Sequence, residues 1–97
     1  MLPDDVIRFI ARKFDAADRG VAAAVLFAAT TEDGSAASPR LVRCAAVASG
    51  GSLARLRAET DRLKVDWRDV IVAGEYESTG SELSRVRDLN EPIADEA

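Results

Sequence analysis

The sequence predicts an α+β domain: a two-layer sandwich in α-β-β-α-β-β order, with a four-stranded antiparallel sheet carrying both helices on one face. Three observations predict it. Apolar residues recur at spacings of three and four in two stretches, 3–19 and 52–67, as on one side of an amphipathic helix. Between and after them lie short runs that are apolar on both alternations and bounded by turn-forming residues, the pattern of covered strands. The resulting order reads as one helix-strand-strand unit written twice, and "PRLVR" at 39–43 loosely echoes "LSRVR" at 83–87.

The first helix takes its stripe from Val6, Ile7, Ile10, Phe14 and Ala17. Pro3 suits its first turn and Gly20 its stop, and Asp4 and Asp5 lie where the helix dipole favours negative charge. Residues 21–30 follow as the first strand, with Val21, Ala23, Val25 and Phe27 on one alternation. The alanines of this run suit a helix equally well, but it is short and leads into the loop "TTEDGSAASP" before a second apolar strand at 40–48. The second helix carries Leu53, Leu56, Thr60, Leu63 and Trp67 on its buried edge, which assigns Trp67 to core packing. "VIVA" at 70–73 is the third strand, "ESTGSE" turns the chain, and "LSRVRDL" at 83–89 alternates as an edge strand that Pro92 ends. Residues 1–90 thus make one domain, and 91–97, "EPIADEA", a loose acidic tail.

Hairpin and crossover rules order the sheet 2-1-3-4, with the two most apolar strands central. Its second face is then left uncovered. The residues expected there, Leu41, Arg43, Val47, Ile71, Arg85 and Arg87, mix apolar with charged character, as association surfaces do.

Composition bounds the function. A chain of 97 residues buries roughly 60–65% of its unfolded surface, enough for one modest core, and Val, Ile, Leu and Phe supply 24 side chains to it. Net charge is −4, with no basic block to attract nucleic acid, and the acid is concentrated in 75–97, which carries −5. No run approaches the ~18 apolar residues of a membrane span, and the first 20 residues do not read as a secretion signal. A lone Cys44 forms no internal disulfide, which fits a cytosolic setting, and eleven arginines against two lysines resemble the usage of a GC-rich bacterial genome.

Four groupings of residues bear on chemistry. In "VASGGSLARLR" the amides of Gly50, Gly51 and Ser52 open a helix and present an anion site that Arg43 and Arg55 would assist. The stretch lacks both GxxxxGK[ST] and GxGxxG, and a glycine turn capped by Ser52 explains every residue of it. Cys44 has no histidine to activate it and sits in an apolar run, so it reads as a buried structural thiol; the same lack of histidine leaves no zinc set and implies no cofactor. "GEYES" puts Glu75 and Glu77 on one side of a strand with Tyr76 on the other, a minimal acid-base pair for an enzyme. Arg85 and Arg87 share a strand side, where pairing with Glu75 or Glu77 would neutralise them. The leading expectation is a non-enzymatic protein-association module, with another protein or a second copy as partner. An anion-binding module at the glycine turn and an enzyme built on Glu75, Glu77 and Tyr76 are the alternatives.

Overall fold

The computed structural model describes residues 2–94. Its elements are α1 (Asp4–Lys13), a 3-10 turn (Ala16–Asp18), α2 (Arg19–Phe27), α3 (Pro39–Ser49), α4 (Leu53–Leu63), α5 (Trp67–Glu75) and a hairpin of β1 (Tyr76–Thr79) and β2 (Glu82–Arg85). This overturns the expected sandwich. Among the described residues the sheet has two antiparallel strands, so there is no four-stranded sheet, no 2-1-3-4 order and no uncovered sheet face.

Each revision has a local cause. The first helix ends at Lys13, where Phe14 turns extended, and Gly20 lies inside α2 instead of stopping α1. Residues 21–30, expected as a strand, are mostly helix: Ala22 and Leu26, four apart, form the buried edge, and three consecutive alanines favour the helix. Residues 40–48 are also helical. Ser38 accepts the Leu41 amide, Pro39 sits in the first turn where its missing N–H costs nothing, and Gly50 closes the other end at φ 60°. α3 packs against α1, α2, α4 and α5, so Leu41, Val42, Cys44, Ala45, Ala46 and Ala48 are all buried and no wide polar face remains to betray its period.

α4 follows its predicted stripe through Leu56, Thr60 and Leu63, capped by Ser52, but stops at Leu63. Trp67 therefore does not lie on α4. Asp66 accepts the Arg68 amide and starts α5, which converts the expected "VIVA" strand into helix. Gly74 permits the close approach of α5 to α3: a Cβ there would lie 2.6 Å from the Cys44 Cα. The predicted edge strand survives only as β2, where Arg85 stands opposite Tyr76 and Ser84 opposite Glu77.

Residues 86–94 then run back over the helices. Leu89 and Ile93 are buried in the same core as Val6, Phe9, Ile10 and Phe14. Of the acidic segment from 91 onward, residues 95–97 lie outside the described residues. Among the described residues no helix is long and apolar enough to cross a membrane.

Candidate functional site

α3 carries Arg40 and Arg43 one turn apart, and each reaches a buried carboxylate on another helix. Arg40 donates from Nε and Nη2 to Oε2 and Oε1 of Glu75, at 2.8 and 2.9 Å. Arg43 donates from Nε and Nη2 to Oδ2 and Oδ1 of Asp5, at 2.9 and 3.2 Å. Both carboxylates also accept a backbone amide of the returning segment, Leu89 N on Glu75 at 3.2 Å and Ile93 N on Asp5 at 3.0 Å. Arg85 adds a further bond to Glu75 Oε1 and pairs with Asp88. Two matched clamps thus tie α1, α3, α5 and residues 89–93 together.

The electrostatics follow from those donors. On Glu75 the guanidinium of Arg40 outweighs the burial that opposes charge, and the Leu89 amide and Arg85 assist, holding its pKa down at about 2. On Asp5 burial also opposes ionisation, but Arg43 and the Ile93 amide together lower the pKa. Burial, then the neighbouring Glu75 carboxylate, pushes the Cys44 thiol up to about 12, and its Sγ donates weakly to Glu75 Oε2 at 3.8 Å. Neither group suits catalysis at neutral pH: Glu75 is an ionised acceptor saturated by donors, and Cys44 is a protonated thiol.

The outer side of Arg40 forms part of an open groove of about 580 Å³ between the 31–38 loop and the first turns of α3 and α5. Leu41, Ile71 and Trp67 give it apolar walls, and Trp67, the chain's one tryptophan, remains 37% exposed there. Thr31, Ser38 and Arg40 supply polar edges, and Glu32 and Asp33 an acidic rim. Asp33 is fixed by the Ser35 amide at 3.0 Å and the Thr31 hydroxyl at 2.8 Å, which keep its pKa low.

The residues singled out by sequence are dispersed. At the glycine turn Gly50 N bonds Val47 O, Gly51 N bonds Ser49 Oγ and Ser52 N bonds Ser49 O, so these amides are already used. Gly51 at φ 92° lies against the Lys13 carbonyl, where a Cβ would collide. Ser52 caps α4 by accepting the Arg55 amide, and Arg43 points to Asp5 instead of the turn. Leu41 and Ile71 line the same groove. Val47 lines a second cavity of about 520 Å³ together with Arg87, Leu89 and Ile93 of the returning segment. Arg85 ends β2 and Arg87 lies beyond it, so the two do not share a strand side as expected, but the pairings with carboxylates are present: Arg85 with Glu75 at 2.9 Å and Arg87 with Glu77 at 3.2 Å. Glu75 ends a helix and is enclosed, while Tyr76 and Glu77 begin β1, so Glu75 and Glu77 do not share one side of a strand as expected. Among the described residues no three side chains converge as a metal site.

Sequence reasoning missed Asp5, Arg40 and the Leu89 and Ile93 amides, and it missed the groove role of Trp67. The spacing of Arg40 and Arg43, three apart, is the signal that a helical reading of 39–49 would have used. No family model, no curated protein and no solved structure matches the chain.

Proposed function

We propose that this chain is a non-enzymatic protein-association module whose contact surface is the groove around Trp67. The observation that carries this reading is a partly exposed tryptophan that lines an open depression together with Leu41 and Ile71. Buried aromatic anchors in pockets contribute disproportionately to association, and an open groove of this size admits one or two side chains of a partner. The commitment of Glu75 and Cys44 to internal contacts supports binding over catalysis. A protonated, buried thiol also suits the cytosolic setting proposed here. The anion-binding alternative gains no support, because the turn's amides bond within the chain.

The test uses Trp67 as its own reporter. A pool of random amidated hexapeptides at millimolar concentration is titrated into the protein, alongside light scattering over a protein concentration series. The reading expects the indole N–H of Trp67 and the Ile71 amide to shift, either with peptide or, for a homodimer, with protein concentration. It expects Trp67→Ala to abolish the effect at Ile71. A strictly monomeric chain whose groove signals ignore the peptides overturns it.

A further inference from the structure

We infer that the occupant of this groove is a cationic protein segment: an apolar side chain seated on Trp67, Leu41 and Ile71, with a neighbouring lysine or arginine against Glu32 and Asp33. This rests on the association reading above and adds the chemistry of the partner.

The groove carries uncompensated charge. Two cations lie beside the apolar walls, and both are already countered within the chain. Arg40 is bound through two nitrogens by the fully buried Glu75, and Arg68, stacked 5.6 Å from the centre of the Trp67 ring, pairs with Asp66 at 3.6 Å. The rim acids are not countered in that way. Glu32 is exposed and has no ion-pair partner among the described residues, and Asp33 is held by Ser35 and by the Thr31 hydroxyl, neutral groups that do not cancel its charge. The groove therefore carries a net negative edge beside an apolar floor. The chain's overall charge of −4 reinforces the attraction at longer range. The second cavity makes a useful contrast: its rim sets Lys13 and Arg87 against Asp88 and Glu91 and selects neither sign.

The geometry also limits the depth of insertion. Asp33 is locked in a loop by its own amide and hydroxyl bonds, so a cation meets it at the rim without ordering the loop first. A lysine or arginine stem can lie along Trp67 with its head in water near Glu32, while the adjacent apolar residue fills the floor. Complementarity of this kind favours encounter rate and selectivity over raw affinity.

The experiment compares three amidated hexapeptide pools, each fixed at a central leucine flanked by lysine, glutamine or glutamate, all read by the Trp67 indole N–H. The lysine pool is expected to bind best. Glu32→Gln should weaken it by about 2- to 5-fold, the scale of one exposed ion pair, and Glu32→Lys should turn the preference toward the glutamate pool. Raising ionic strength from about 0.05 to 0.5 M should lower lysine-pool affinity and leave the glutamine pool little changed. Equal binding of all three pools, or preference for glutamate, overturns the cationic partner while the groove reading stands. Silence of Trp67 toward every pool, with no change on self-association, overturns both.

Discussion

Glu75 is a fully buried side chain that stays charged because four donors surround it: Arg40, Arg85, the Leu89 amide and the Cys44 thiol. Removing its charge leaves Arg40 without its counterion and Arg85 with Asp88 alone, so Glu75→Gln should destabilise the protein by about 3–5 kcal/mol in urea unfolding. Acid should act through the same residue. The folded pKa of about 2 lies below the unfolded value near 4.5, so the unfolded chain binds the proton more readily. The contribution of Glu75 is then complete above about pH 5 and lost as pH falls toward 2. Denaturation midpoints measured from pH 6 to 2 should fall steeply in the parent and less steeply in Glu75→Gln; parallel curves would show that other carboxylates set the slope. Cys44 gives an independent reading of the same pocket. With its thiol pushed up to about 12 and no exposure, it should react with an aromatic disulfide reagent only at the rate of unfolding, and fast labelling of native protein would contradict the buried contact.

At the scale of elements, the contact that positions both site and clamp is α3 against α5. Its closeness depends on Gly74, since an alanine Cβ there would meet the Cys44 Cα at 2.6 Å and the Cys44 carbonyl oxygen at 2.8 Å. Gly74→Ala should therefore cost about 1–3 kcal/mol by thermal or urea unfolding, and Cys44→Ala in the same chain should not restore it, because the collision is with backbone. This contact also explains what the sequence showed and what it hid. α1 and α4 were legible because each buries one edge and keeps a charged face: Val6 and Ile10 of the first expected stripe and Leu56, Thr60 and Leu63 of the second are buried, although Ile7 is exposed and Phe9, not expected, is buried in its place. α3 lies among four other helices, and a short run that is apolar on every side does not distinguish helix from covered strand. "VIVA" misled for a related reason: β-branched residues suggested a strand, while the Asp66 cap and the fit of Gly74 against α3 decide for helix. The charged residues Glu75, Glu77, Arg85 and Arg87 were visible, and so was their pairing. The central part of Glu75 was not, because it depends on Arg40, 35 positions away.

Across the whole molecule, the Asp5 clamp joins the first helix to residue 93, a separation of 88 positions. Residues 86–94 have no regular structure of their own, and Leu89 and Ile93 hold them by burial in the core while Glu75 and Asp5 hold their amides. Burial of this kind makes the segment part of the cooperative unit. Leu89→Ala and Ile93→Ala should each cost about 2–5 kcal/mol, a large share of the stability of a domain this size. The sharper measurement is native-state hydrogen exchange at the two clamped amides. If the segment opens only with the whole fold, Leu89 and Ile93 exchange at the global rate, and Asp5→Asn accelerates both by the same factor even though it touches only one of them. If Asp5→Asn accelerates Ile93 alone, the end of the chain detaches by itself and the clamps act separately. The shared arginine face of α3 argues for the first outcome. Arg43 contacts Asp5 and also lies 3.5 Å from the Leu89 carbonyl, so loosening one clamp disturbs the backbone held by the other.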